Sequence, residues 1–124
     1  MGRDVWSDRY CMKSHIDKEC RLILPKAVRE SWVADGFAYL VPETVSGGLR
    51  LLTKVYIETR LDAARSENIL MEMFQVLAKN MVRIAIDQGG RFEIPLQMLK
   101  FAKIVSCVTL EPIEHGLLIR ADSA

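Results

Sequence analysis

A nine-residue signature occurs twice in this chain, as Asp17-Lys18-Glu19-Cys20-Arg21-Leu22-Ile23-Leu24-Pro25 and as Asp87-Gln88-Gly89-Gly90-Arg91-Phe92-Glu93-Ile94-Pro95. The Asp, Arg and Pro of the second copy each lie 70 positions after those of the first, so the chain holds a duplicated unit. Each copy reads as Asp, three turn-type positions, Arg, alternating apolar residues and Pro. Apolar runs precede both turns, among them Met81-Val82-Arg83-Ile84-Ala85-Ile86. That order predicts a strand, a tight charged turn and a second strand ending at proline, which is a β-hairpin.

The echo continues beyond the prolines. Residues 26–32 (KAVRESW) and 96–102 (LQMLKFA) read as short helices opened by proline, whose missing N–H costs nothing at a helix start. A further strand pair follows in each half: Phe37 to Val41 answers Cys107 to Glu111, and Leu49 to Thr53 answers Leu117 to Arg120, with four extra residues expected before the last strand of the first copy. Each half is therefore strand, strand, helix, strand, strand.

At 124 residues, with half of them hydrophobic, the chain is one small domain or two half-size units sharing a core, because about 50 residues alone bury too little surface. Residues 1–9 form an N-terminal extension, 10–53 the first repeat, 54–80 a helical connector and 81–124 the second repeat. The connector divides near Ser66-Glu67-Asn68. Thr53 or Lys54 opens its first helix, while Ile69, Leu70, Met73, Phe74, Val76, Leu77 and Met81 recur at helical spacing in the second, with Ser66 as its cap. No apolar run approaches the roughly 20 residues of a membrane helix, the first residues lack a signal-peptide core, and three cysteines do not suit a disulfide framework. A cytoplasmic protein is expected. A net charge of +1 gives no global pull toward nucleic acid, so any polyanion must be met by a local basic patch or by several subunits together.

Paired Asp-x-x-x-Arg signatures, each leading into apolar-x-apolar-Pro and a short helix, with helices between the halves, resemble the MraZ proteins of bacteria over roughly residues 10 to 120. MraZ belongs to the AbrB-like superfamily. The resemblance implies an α+β, mainly β fold: a pseudo-twofold swapped-hairpin β-barrel made by two repeats. It also implies a transcriptional regulator of a division and cell-wall gene cluster, nucleoid-associated, assembled as a homo-oligomeric ring and binding double-stranded DNA. Its signature turns would face that DNA, with Lys18, Arg21, Arg91 and Gln88 as DNA-binding residues and Asp17, Asp87, Gly89 and Gly90 shaping the turns. No enzyme activity, cofactor, metal or membrane partner is implied. The chain departs from the family pattern at Cys20, where glycine is usual, at Gln88, where a basic residue would match Lys18, and in its short C-terminal end. The alternative is a diverged AbrB-like scaffold or protein-interaction module without specific DNA binding, which the low charge and Gln88 favour.

Other chemistry-bearing residues read as structural. Asp17 and Asp87 could be an acid-base pair, yet each heads a turn, where Asp accepts backbone hydrogen bonds, and no nucleophile stands at matched spacing. Arg21 and Arg91 could be internal ion-pair partners of those aspartates instead of DNA ligands. Cys11, His15 and Cys20 supply only three zinc donors and lack the two-residue spacing of a zinc knuckle. Cys107 reads as a small buried apolar residue and His115 as a solvated turn residue. Gly47-Gly48 and Gly89-Gly90 precede no Lys-Ser or Lys-Thr pair at a helix start and read as turn glycines. The methionines Met71, Met73 and Met81 read as helix packing.

Overall fold

The structure, a computed structural model, describes residues 11–66 and 79–122. The apolar stripe expected over residues 69–77 and the N-terminal extension lie outside them. In chain order the elements are β1 (Met12–His15), β2 (Arg21–Ile23), α1 (Lys26–Asp35), β3 (Phe37–Glu43), β4 (Gly48–Leu52), α2 (Lys54–Ser66), β5 (Val82–Ala85), β6 (Arg91–Glu93), α3 (Leu96–Phe101), β7 (Cys107–Ile113) and β8 (Gly116–Ala121). The architecture is α+β and mainly β. Ser66, expected as a cap, is instead the last residue of α2.

The first strand of each half pairs with the third strand of the other. β1 lies antiparallel to β7 with Met12 opposite Leu110, and β5 lies antiparallel to β3 with Val82 opposite Leu40, which is the same register displaced by the repeat. Backbone bonds at the strand ends repeat the exchange: Ile16 N–H donates to the Ser106 carbonyl at 2.7 Å, and Ile86 N–H to the Gly36 carbonyl at 2.9 Å. These ladders make an antiparallel sheet in the order β1-β7-β8-β4-β3-β5, while β2 and β6 form a separate two-stranded ladder. Two residue pairs are their own repeat equivalents, Leu22 opposite Phe92 in the short ladder and Arg50 opposite Leu118 between β4 and β8. They mark the pseudo-twofold relation between the halves.

One hydrophobic cluster takes residues from both halves, including Leu22, Leu24, Leu40, Leu49 and Leu51 from the first and Phe92, Ile94, Val108, Leu110 and Ile119 from the second. The period-2 alternation of strands puts these side chains on the inner face and their neighbours outside. Burying Phe92 and Leu22 on the relation axis removes apolar surface contributed by both repeats, at roughly 25 cal/mol per Å².

The expected closed barrel is not found among the described residues. β1 and β5 are the outer strands of the sheet, and β1 meets β2 through the isolated bridge Ile16 to Leu22 and the Ser14 hydroxyl, which donates to the Ile23 carbonyl at 2.8 Å, not through a continuous ladder. β2 and β6 are three residues long and end before Pro25 and Pro95, so they are too short to continue the large sheet. The four extra residues expected in the first copy are two: β3 and β4 are joined by 44–47 and β7 and β8 by 114–115. Both proline-opened helices form, but unequally. α1 runs ten residues to Gly36, whose φ of 80° makes a left-handed cap, whereas α3 stops after six. α2 opens where the side-chain oxygen of Thr53 accepts the Tyr56 N–H at 3.2 Å. No helix among the described residues is long and apolar enough to cross a membrane.

Candidate nucleic-acid interface

Each signature turn is built by its aspartate. Asp17 Oδ1 accepts the backbone N–H of Glu19 at 2.8 Å and of Arg21 at 2.9 Å, and Asp87 Oδ1 accepts those of Gly89 at 2.9 Å and Arg91 at 2.8 Å. The Asp N–H closes each hairpin onto the Arg carbonyl, at 2.9 Å for Asp17 and 3.0 Å for Asp87. Between Asp and Arg lies a three-residue loop whose third residue is left-handed, Cys20 at φ 63° and Gly90 at φ 79°. This is the geometry of a three-residue hairpin with a bulge, in which glycine is the least strained occupant. Cys20 therefore carries a conformational cost that Gly90 does not.

The N–H groups aimed at these carboxylates lower the pKa of both from the ordinary carboxylate value. The largest cause is the backbone N–H of Arg21 at Asp17 and of Arg91 at Asp87, with the neighbouring arginine charges adding to it. Carboxylates so occupied are poor proton acceptors, which favours turn-building over acid-base chemistry.

The ladder between β2 and β6 orients the arginines. Leu22 and Phe92 face the core, so Arg21, Ile23, Arg91 and Glu93 share the outer face. Arg21 stands opposite Glu93 and Arg91 opposite Ile23, making the two arginines diagonal neighbours about 7–8 Å apart, a spacing typical of such pairs. Residues 70 positions apart in the chain thus meet on one small surface. Lys18 and Gln88 sit exposed at the first loop position of their turns, flanking this face.

The two arginines differ in their surroundings. Arg21 is gripped by Asp17 Oδ2 at 3.2 Å and by Glu19 at 3.0 Å, whereas among the described residues Arg91 has only a loose pair with Asp87 at 3.6 Å. A third arginine joins the second turn. Arg29 of α1 runs its stem over Gly90, where an added Cβ would lie 2.5 Å from Arg29 Cγ, and its Nε donates to the Leu24 carbonyl at 3.0 Å. The sequence reading does not single out Arg29; the only signal was that glycine replaces a side chain at position 90 in a turn that faces the other half.

The remaining candidates are dispersed. Among the described residues no group of His, Cys, Asp and Glu could hold a metal ion. Cys107 is exposed, not buried as expected, because the strand alternation turns Val108 and Leu110 inward and leaves Cys107 outward, opposite His15. His115 is not simply solvated: its ring stacks on Tyr56 at 4.3 Å with its side chain 48% exposed, tying the 114–115 turn to α2. Gly47 is a positive-φ turn glycine, but Gly48 already belongs to β4, where a Cβ would press the Ile119 carbonyl at 2.7 Å. Met71 and Met73 lie outside the described residues, and Met81, read as helix packing, instead stands outside any helix immediately before β5.

No protein-family model matches the chain, and a search of curated proteins finds no match.

Proposed function

We propose that this protein is a DNA-binding transcriptional regulator that acts as a homo-oligomer, using a swapped-hairpin unit of the kind its resemblance to MraZ implies. The observation that carries the reading is the meeting of Arg21 and Arg91 on the outer face of one short ladder. Arginine pairs bidentately with phosphate or with guanine edges, and a tight turn braced by a carboxylate presents it with little entropy left to lose on binding. Several copies on successive DNA repeats would add avidity to a chain whose net charge is only +1. In this reading the protein works in the cytoplasm, on the nucleoid, and no catalysis is involved.

The test is fluorescence anisotropy with the duplex upstream of the protein's own gene and with a scrambled duplex, at two salt concentrations. Tighter binding to the native duplex, with log affinity falling against log salt by about 0.9 per phosphate contacted, is expected. Arg21→Ala with Arg91→Ala should abolish that preference while the chain stays folded; unchanged binding by the double variant would sink the proposal. The grip of Asp17 and Glu19 on Arg21 favours a second reading, a scaffold that uses the same unit for assembly alone. A scaffold shows no salt-sensitive DNA binding at all.

A further inference from the structure

We infer that DNA engages the two turns unequally, chiefly through the second, and that Arg29 is a third DNA-contacting cation beside it; this rests on the DNA-binding reading above. Three features separate the turns. The first concerns charge. Around turn one, Lys18 and Arg21 face Asp17, Glu19 and, directly across the ladder, Glu93, so carboxylates outnumber cations. Around turn two, Asp87 is the carboxylate, Gln88 and Gly89 are neutral, and Arg91 and Arg29 supply two positive charges. A phosphate approaching the common face therefore meets attraction at one end and near-cancellation at the other.

The second feature is availability. Arg21 must leave two carboxylates to reach a ligand, while Arg91 must leave one that holds it at 3.6 Å. Arg29 makes no ion pair with any described residue. Its Nε bond to the Leu24 carbonyl fixes the plane of the guanidinium, and the two terminal nitrogens have no hydrogen-bond partner among the described residues. A pre-oriented guanidinium with both terminal nitrogens open suits a phosphate oxygen pair.

The third is that the arrangement is specific to one turn. The repeat equivalent of Arg29 is Leu99, which is buried, and the equivalent of Gly90 is Cys20, which packs against the core. Gly90 leaves the space that the Arg29 stem fills, so the missing side chain at 90 and the charged one at 29 form one device. Turn two borrows a cation from the helix of the other half; turn one has an apolar residue there.

The test uses the full chain and the same duplexes. Arg29→Met keeps an unbranched stem over Gly90 and removes the charge; Arg29→Lys restores a charge. Expected for Arg29→Met is a salt slope shallower by about one and binding roughly tenfold weaker, with the fold retained by circular dichroism although the Leu24 carbonyl loses its donor, and for Arg29→Lys a slope close to wild type. Glu19→Gln, which leaves Arg21 held by Asp17 alone and removes a repelling charge, should tighten binding a few-fold. An Arg29→Met protein with the wild-type slope, or an Arg29→Lys protein as weak as Arg29→Met, overturns the inference while leaving the DNA reading standing. A wild-type chain without salt-sensitive binding overturns both.

Discussion

The outer face of the large sheet is finished in two different ways at its two ends, β4-β3-β5 and β1-β7-β8. In the first, α2 packs against β3, and Leu52 and Ile57 are buried there although both lie outside the main core cluster. Beside them Arg83 stacks 3.9 Å from the centre of the Phe37 ring and Lys54 lies 5.6 Å from it. In the second the equivalent face is polar: Lys13 pairs with Asp122 at 3.0 Å and Arg120 with Glu111 at 2.7 Å. By position Lys13 corresponds to Arg83, Asp122 to Lys54 and Cys107 to Phe37. Where the second partner is an anion, a salt bridge forms; where it is a second cation, an aromatic ring takes both, its negative face offsetting the charge. The same backbone register thus carries either an apolar layer under a helix or an ion-paired surface open to water. Main-chain pairing and the inner face define the fold, and the outer face is free to diverge.

That comparison is broken most severely at the place the halves share. Phe92→Ala should cost about 3–5 kcal/mol and Leu22→Ala about 2–5, because each leaves a hole in the core between the repeats. Urea denaturation followed by circular dichroism and by tryptophan fluorescence should show one coincident transition in both variants. Two separate transitions would mean the repeats fold independently.

The outer faces should respond unequally. Ile57→Ala removes a buried side chain of α2 and is expected to cost about 2–3 kcal/mol, whereas Lys13→Ala on the ion-paired side should cost less than about 1, as exposed pairs do. Comparable losses in the urea midpoint would show that the polar face is more than a solvated surface.

The two turns offer a smaller contrast of opposite sign. Gly90→Ala places a Cβ at positive φ and against Arg29, and is expected to destabilise by about 1–2 kcal/mol; Cys20→Gly relaxes the same conformation and should stabilise by up to about 1. Thermal melts of the two variants check the signs, and a Cys20→Gly protein less stable than wild type would show that the thiol's packing outweighs its strain.

The smallest expected effect is with pH. Asp17 and Asp87 have folded-state pKa values below those of the unfolded chain, so their stabilising contribution is fully present above the ordinary carboxylate value of about 4 and is lost as pH falls through the lowered folded values. Glu43, held down chiefly by Ser46, adds to the same acid limb. Asp17→Asn with Asp87→Asn should flatten the decline in stability below about pH 4 without altering its neutral plateau's pH independence. An acid limb as steep as wild type would assign it to other carboxylates.

Much of the architecture is legible in residues that act locally. Asp at the head of a turn, a position calling for glycine three residues on, and proline before a helix each work over a few bonds, so their repetition shows in the chain itself. Cys20 could be recognised as the strained substitution for the same reason. The exposure of Cys107 is not legible in the chain because an isolated apolar run does not say which alternate residues face inward; the register with β1 decides that. The unequal lengths of α1 and α3 were hidden by the similarity of their first turns, since α3 is capped at Ala102, with Lys103 left-handed at φ 57°, where α1 continues through Trp32 and Val33 to its cap at Gly36. Arg29 carries no local signature, because its role depends on a glycine 61 positions away in the chain.

The amino-acid sequence by itself determined two copies of a strand-turn-strand-helix-strand-strand unit, with the turns closed by Asp and the helices opened by Pro. Hydrogen bonds to neighbouring N–H groups and the restricted φ of proline are sufficient for that. Tertiary structure alone decided that β1 pairs with the second half and β5 with the first, that the two arginines share one face, and that Arg29 lies over Gly90. Those arrangements follow from burying Leu22 and Phe92 against each other in a common core, a long-range packing condition that no short stretch of the chain contains.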